Sequence, residues 1–309
     1  MPFVGGAAPN DDRLDLLPAR GWCRPTRVLR IVETTRRCTR GTSLTDEPRD
    51  APARRADSLT TEQVAEVLRL LKRVDGVELK LSVPDEGRVS AVRALGMDPL
   101  DAQIRQVYFL DTPDLALDRQ GVVVRVRRVQ RKSADAVVKL RPIVPDQLAS
   151  SVRKSAFFSV EIDAMPGGYV CSATLKSELD DADVLDAVAG HRPIRKLFSK
   201  EQQALYTAYA PDGVALDDLT LLGPVNVLKL KFTPKGFPHR MVAELWNYPD
   251  GSRLLELSTK CEPAEAFDMA SKARTFLMAS GVDVTAEQQT KTRKALQFFA
   301  STFAEVAAR

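Results

Sequence analysis

The chain has 309 residues, of which 44% are hydrophobic and 28% are charged, which is ordinary for a globular protein. A formal net charge of only +4 argues against a protein that coats DNA, and we expect no nucleic-acid partner. The sequence contains no apolar run near the roughly 18 residues of a spanning helix and no signal-peptide pattern at its start, so we expect a cytoplasmic protein with no membrane partner. The four cysteines show no CxxC spacing, so we expect them to be inert thiols.

The first 57 residues differ from the rest of the chain. They contain eleven arginines and no lysine, with scattered proline and glycine and no sustained hydrophobic period. This composition predicts a disordered basic tail over residues 1–57, and a basic arm for RNA or a membrane is the alternative. We expect the ordered domain to run from 58 to 309, including helices at its C-terminal end.

Helical and strand periods alternate along this domain. Thr60 to Gln63 forms a capping box ahead of a helical stripe that reaches Val74. Further helices are expected at 88–95, at 182–189, from Ser199 to about Tyr209, from Pro263, and from Thr285, where Gln288 completes a second capping box. Strands are expected at 77–83, 104–111, 122–129, 136–141, 158–163, 226–232, 241–248 and 253–259.

Charged residues occupy alternate positions on strand after strand, in segments such as RVR, KLR, EID and KLK. Residues two apart in a strand share a face, so each doublet lies on one face and its apolar neighbours on the other. One interpretation is an antiparallel sheet with one wet face. The other is a sheet that curls into a closed barrel with a charged tunnel. The basic residues of such a tunnel would suit a chain of phosphates, and its acidic residues would suit a divalent cation.

The run YFLDTPDLALDRQGVVVRVRR at 108–128, with VELKLSV before it and VVKLRP and VEID after it, resembles the CYTH family, or triphosphate tunnel metalloenzymes. The resemblance covers residues 77–163 and resumes less strongly at 214–300. It implies an α+β fold with a closed antiparallel eight-stranded barrel and flanking helices. It also implies a triphosphate ligand with one or two Mg²⁺ or Mn²⁺ ions.

The resemblance assigns a role to each charged doublet. Catalysis is assigned to Glu78 and Lys80, while Gly76 stands where the family has another acid. The phosphate-binding residues are Arg125, Arg127, Lys139, Arg141, Lys229, Lys231 and Lys260. The metal ligands are Glu161, Asp163, Glu244 and Glu256. Residues after 200 are placed by strand parity, and Arg195 and Lys196 are expected to stand in for a basic strand that is not found.

Three functions remain open at this point. The first is a metal-dependent phosphohydrolase acting on inorganic, nucleoside or thiamine triphosphate. The second is an adenylyl cyclase, which would need to stack a base on Trp246 or Tyr108, although both are expected in the core. The third is a non-catalytic module that binds polyphosphate or a nucleotide, which the glycine at position 76 favours. We expect a monomer or a homodimer.

The end of the chain has two interpretations. Lys291 and Lys294 are expected on a solvated helix face. The segment EQQTKT around Lys291 resembles the C-terminal end of the family and could instead plug or rim the tunnel.

Overall fold

The strands with alternating charge close into a barrel in the computed structural model, which describes residues 61–149 and 152–307. Its strands are β1 Gly76–Val83, β2 Gln103–Asp111, β3 Val122–Val129, β4 Lys132–Leu140, β5 Phe158–Met165, β6 Gly168–Leu179, β7 Thr220–Phe232, β8 Met241–Asn247 and β9 Arg253–Cys261. Its helices are α1 Thr61–Leu71, α2 Asp85–Ala94, α3 Ala116–Gln120, α4 Asp181–Val188, α5 Lys200–Tyr209, α6 Ala266–Ala279 and α7 Lys291–Ala307. Within the described ranges, no helix combines the length and apolar character needed to cross a membrane. The predicted tail at 1–57 lies outside the described residues.

The ring runs β1-β5-β6-β4-β3-β2-β7-β8-β9 and closes where β9 pairs with β1. The closed barrel with flanking helices is therefore confirmed, but it has nine strands instead of eight and is mixed instead of wholly antiparallel. Antiparallel neighbours alternate in direction, so a ring with an odd number of strands must contain a parallel pair. That pair is β1 and β5, which places Glu78 opposite Asp163. The strand that the sequence analysis missed is β6, which forms a hairpin with β5.

Apolar side chains pack on both sides of the barrel wall. On the outer face, α4 and α5 pack around Val124 and Leu205, whereas α2 and α6 cover a separate cluster around Leu257. A third cluster brings Phe109 and other inward-facing residues together with Leu296 of α7. Each large side chain that is fully buried in these clusters contributes about 1.5–3 kcal/mol. The third cluster closes one end of the barrel.

The segment before α7 is tied to the barrel, which explains why this helix begins later than predicted. The Gln288 side chain, expected to complete a capping box, instead accepts a hydrogen bond from the Ser82 backbone N–H at 2.8 Å. The Ser82 hydroxyl donates to the Gln289 carbonyl at 2.9 Å, and the Tyr248 hydroxyl donates to the Lys291 carbonyl at 3.1 Å. The helix therefore starts at Lys291 and not near Thr285.

The most specific part of the family resemblance, the DTP turn, has a structural role. The buried Asp111 carboxylate accepts hydrogen bonds from the backbone N–H groups of Thr112, Leu117 and Asp118 at 2.8–3.0 Å. Burial raises the pKa of Asp111 despite these bonds. The carboxylate satisfies the first free N–H groups around α3 and so fixes the path from β2 into β3.

Gly121 should be indispensable at the start of β3. Its φ is +78°, and a Cβ there would lie 2.4 Å from the Arg141 carbonyl oxygen. We expect Gly121→Ala to lower the free energy of unfolding by roughly 2–4 kcal/mol, because left-handed strain and a backbone clash add together. Gly167→Ala is the matched control, since its φ is +83° with nothing within 4 Å, and it should cost only about 1–2 kcal/mol. Urea unfolding measures both variants, and equal losses would contradict the role of the clash.

Candidate functional site

The charged doublets point into the barrel. The Lys139 Nζ of β4 lies 2.8 Å from an Asp163 oxygen of β5 across the intervening β6, and the Lys260 Nζ of β9 lies 2.5 Å from a Glu161 oxygen across β1. Pairs that skip a strand at such short distances form only on the concave inner surface. The Lys139 and Lys229 side chains keep 20% and 19% of their surface accessible inside the closed ring, so they border open space.

Three carboxylates meet on this inner surface and form what we call the acidic group: Glu78, Glu161 and Asp163. One oxygen from each lies within 4.8 Å of the others. The parallel pairing of β1 with β5 brings them together, because it aligns Glu78 with Asp163 and Gly76 with Glu161. Clustered carboxylate oxygens are the ligands that Mg²⁺ and Mn²⁺ prefer, so the acidic group fits such an ion.

Lysines balance the charge of the acidic group. Asp163 has Lys80 on one oxygen and Lys139 on the other, each at 2.8 Å. Burial alone would raise the pKa of Asp163, but Lys139 and Lys80 outweigh burial and hold it well below its usual range. Glu78 accepts from the Ser258 hydroxyl at 3.1 Å and lies 3.3 Å from Lys80. Both acids are therefore ionised at neutral pH.

Stability should fall steeply in acid because of these buried carboxylates. The folded protein depresses the pKa values of Asp163 and Glu244, so their contribution is complete above the unfolded pKa values of about 3.9 and 4.3. It is lost as the pH falls below those values toward the lower folded pKa values. Urea unfolding between pH 7 and pH 2.5 should show this loss, and the free energy of unfolding of Asp163→Asn should fall less steeply as the pH is lowered. If the free energy of unfolding fell equally steeply in the wild type and in Asp163→Asn, the role of Asp163 would be contradicted.

Arginines from β2 and β3 form a second inward-facing group. Arg127 makes a two-point ion pair with Asp135 of β4 at 2.8 and 2.9 Å. The neighbouring Arg125 has no such partner among the described residues, and its buried Nε lacks a hydrogen bond. Burial, followed by the charge of Arg127, lowers the pKa of Arg125 to about 9, so it stays cationic at neutral pH. Arg105 lies near this group and bonds through its guanidinium to Gln103.

A third group, which we call the ammonium bridge, consists of Lys291, Glu244 and Glu256. The Lys291 Nζ lies 2.5 Å from Glu244 Oε2 and 2.7 Å from Glu256 Oε1. Lys229 occupies the other Glu244 oxygen at 2.7 Å. The predicted solvated face is therefore wrong for Lys291, which enters the barrel, and Lys294 packs 4.9 Å from the Tyr248 ring centroid.

The remaining predicted residues divide between the barrel and the surface. Arg141 follows β4 on the face of Lys139, and no described residue forms an ion pair with its guanidinium. Lys231 is exposed on the face of Lys229 at the far end of β7. Arg195 and Lys196 lie outside the barrel, where Arg195 pairs with Asp217 on the surface, so the expectation that they stand in for a basic strand is wrong.

The barrel has one closed end and one open end. Leu254 of β9 packs with Leu296 of α7 at the closed end. Six residues further along β9, or about 20 Å at the usual rise of a strand, 60% of the Lys260 side chain is accessible. Lys231 is also exposed at this end. The open end is therefore lined by basic residues, and the acidic group lies inside the barrel.

The two aromatic residues considered for base stacking belong to the core. Trp246 is buried, stacks on Phe109 with ring centroids 6.3 Å apart, and donates its Nε1–H to Glu244 at 3.3 Å. Tyr108 is buried in the outer cluster that contains Val124. Neither ring is available to grip a nucleobase in this arrangement.

Three inward-facing charged residues, Arg105, Asp135 and Lys176, were not named in the sequence analysis, and the inward position of Lys291 was given only as an alternative. Arg105 precedes the alternating Val107 and Phe109 on one face of β2, so strand parity could have placed it inside. Asp135 lies two positions from Val137 on the face of Lys139, and the same parity applies. Only the EQQTKT resemblance pointed to Lys291.

The fold and charged interior together define a closed tunnel barrel, and the resemblance to the CYTH family is confirmed at the level of the fold. A solved structure with this fold is HpAC1 from Hippeastrum, named as a candidate adenylyl cyclase and described as having a dominant triphosphatase activity. It is 15% identical, the match covers 70% of this chain and 92% of HpAC1, and the TM-score is 0.52.

A candidate adenylate cyclase from Bacillus halodurans is 14% identical, with 71% of this chain and 97% of that chain covered and a TM-score of 0.49. No protein-family model and no curated protein sequence matches the chain.

Proposed function

We propose that this protein is a metal-dependent phosphohydrolase that cleaves a triphosphate bound inside the barrel. The observation that supports this most directly is that two inward-facing guanidiniums, those of Arg125 and Arg141, form no ion pair among the described residues, and that the buried Nε of Arg125 lacks a hydrogen bond. Enclosed cations without acids are costly, and an anionic ligand would offset that cost. A chain of phosphates supplies several negative oxygens within one narrow space.

The basic residues have distinct parts in binding. Arg125 and Arg141 can each contact phosphate oxygens at two points, because the guanidinium is planar and presents parallel donors. Lys80 and Lys139, which hold Asp163 in the free protein, can each extend donors to a phosphate. These residues would neutralise the charge that spreads over the phosphoryl oxygens during cleavage.

The acidic group supplies the rest of the chemistry. Glu78, Glu161 and Asp163 would hold Mg²⁺ or Mn²⁺, which when bound would polarise the attacked phosphate. Glu78 accepts from the Ser258 hydroxyl on one oxygen and lies 3.3 Å from Lys80 through the other, and it would orient the attacking water. Since α7 closes the far end, a long phosphate chain would enter by its terminus, and cleavage near the chain end is expected.

A binding module without turnover is the second candidate. Gly76 faces Glu161 where the family has another acid, so this chain has one fewer ligand for an ion. Asp163 is also already neutralised by two lysines. Cyclisation is less well supported, because Trp246 and Tyr108 are packed in the core. The dominant triphosphatase activity described for HpAC1 also favours hydrolysis.

The decisive experiment separates binding from turnover. Purified full-length protein is mixed with tripolyphosphate, ATP or thiamine triphosphate, each with Mg²⁺, Mn²⁺ or EDTA. Orthophosphate, pyrophosphate and cyclic AMP are measured separately, and thermal stabilisation reports binding. We expect orthophosphate release that needs the metal and no cyclic product.

The possible outcomes distinguish the candidates. Stabilisation without any product would favour the binding module, and cyclic AMP with pyrophosphate would favour the cyclase. If protein that is shown to be folded gives neither thermal stabilisation nor any product, the proposal is wrong. Arg195→Ala serves as a matched control, because this exposed arginine lies outside the barrel and should leave turnover unchanged.

A further inference from the structure

Glu244 and Glu256 stand directly opposite each other on neighbouring strands. Both are buried, with only 10% and 7% of their side chains accessible. Like charges placed opposite each other in a sheet repel, and the repulsion grows as water is excluded. This acidic pair therefore requires a cation.

The protein itself provides the cations: Lys229 lies 2.7 Å from one Glu244 oxygen, and Lys291 joins the two carboxylates. The Lys291 ammonium bridges one oxygen of each carboxylate at 2.5 and 2.7 Å, and it lies 5.3 Å from the Trp246 ring centroid. An ammonium has three donors, and two of them are used by the two acids. Burial alone would lower the pKa of Lys291, but Glu244 and Glu256 raise it well above its usual range.

The position of Lys291 is built into the fold. The bonds from Ser82 to Gln288 and Gln289 fix the segment before α7, and the Tyr248 hydroxyl holds the Lys291 carbonyl. The apolar side of α7 then packs inside the barrel through Leu296. A tethered cation held in this way competes effectively with ions from solution, because its position is already fixed.

We infer that Lys291 replaces a divalent cation at Glu244 and Glu256, so that the intact barrel binds such an ion only at the acidic group. This changes the assignment of Glu244 and Glu256 as metal ligands, which the sequence analysis made from strand parity. The inference rests on the proposed function only for the ion at the acidic group. Removing the ammonium should open a second cation site between Glu244 and Glu256.

Counting bound Mn²⁺ tests the inference. Calorimetric titration of the full chain with Mn²⁺ should give one ion for the wild type and two for Lys291→Met, whose side chain is similar in length but uncharged. The double variant Lys291→Met/Glu244→Gln should return to one ion. Lys294→Met, on the same helix but stacked on Tyr248, is the control and should bind one ion.

The counts also separate this inference from the proposed function. No ion in the wild type and one in Lys291→Met would remove the metal site at the acidic group but support the role of Lys291. Two ions in the wild type, or the same count in Lys291→Met as in the wild type, would overturn the inference. Mn²⁺ should also raise the melting temperature of Lys291→Met more than that of the wild type. Failure of this variant to fold at saturating Mn²⁺ would overturn the inference too, because the ion would then not replace the ammonium.

Discussion

Arg125→Met should raise the stability of the free protein and abolish most of its turnover. The Arg125 Nε is buried without a hydrogen bond, and the charge of Arg127 acts against it. Removing an unsatisfied buried group of this kind should raise the free energy of unfolding by about 1 kcal/mol. Loss of a donor directed at phosphate should lower kcat/KM for tripolyphosphate by about 10²–10³-fold, or about 2.7–4 kcal/mol of barrier.

The matched control for this variant is an outward-facing arginine on the same strand. Arg128 points outward, where it bonds to Asp181 and Gln106. Arg128→Met should therefore lower stability by up to about 1 kcal/mol and leave turnover unchanged. Urea unfolding and steady-state phosphate release measure both variants. A parallel loss of stability and turnover in Arg125→Met would show that Arg125 supports the barrel and does not bind phosphate.

Arg125→Met is expected to raise stability and to lower turnover, and these opposite effects follow from the way charges are paired inside the barrel. Arg127 is satisfied by Asp135, Lys229 by Glu244, and the acidic pair by Lys291. Arg125 and Arg141 form no ion pair with any described residue, although Asp135 lies near Arg125 and Asp163 lies near Arg141, so the unpaired charge in the barrel is positive. The ion pairs formed inside the barrel stabilise it. The unpaired cations instead lower the stability of the free protein and favour an anionic ligand.

The inward direction of the doublets could be predicted from the sequence because it depends only on local geometry. Residues two apart in a strand share a face, and the apolar neighbours of Arg125, Lys139 and Glu161 showed which face was buried. The family resemblance then selected the closed barrel over the half-solvated sheet. Neither inference requires knowledge of which residues far apart along the chain are in contact.

The number of strands could not be predicted in the same way. The inward face of β6 carries Ser172, Thr174 and Lys176, which form no charged doublet, so this strand gave no signal. A ring of eight strands can be wholly antiparallel, as the resemblance implied, whereas a ring of nine strands cannot. The contact between Glu78 and Asp163 depends on the parallel pair that the ninth strand makes necessary. An unpredicted strand therefore creates the geometry of the acidic group.

The inward position of Lys291 was only the alternative in the sequence analysis, for a different physical reason. A lysine at the start of a helix is usually solvated, because burying an ammonium without partners is very costly. Glu244 and Glu256 reverse that expectation, but they lie 47 and 35 residues away along the chain. No local pattern reports such a pairing.

Asp163→Asn should separate ligand binding from catalysis more sharply than any other single change. Asparagine keeps the shape but leaves Lys80 and Lys139 without their shared acid, and only 4% of the Asp163 side chain is accessible. Breaking a buried pair from one side costs about 3–5 kcal/mol of unfolding free energy. Metal-dependent phosphate release should fall to background, because the acidic group loses a charged ligand.

Tripolyphosphate in EDTA should nevertheless raise the melting temperature of Asp163→Asn more than that of the wild type, since Lys139 then loses its acid and Lys80 keeps only Glu78. Glu161→Gln is the control, because Glu161 belongs to the same acidic group but pairs with the exposed Lys260. It should also lose metal-dependent turnover, yet lose less than about 1 kcal/mol of stability. Full turnover of Asp163→Asn with Mn²⁺ would show that the acidic group is not the metal site. The melting temperature measured in EDTA would then be the test of whether the lysines bind the anion.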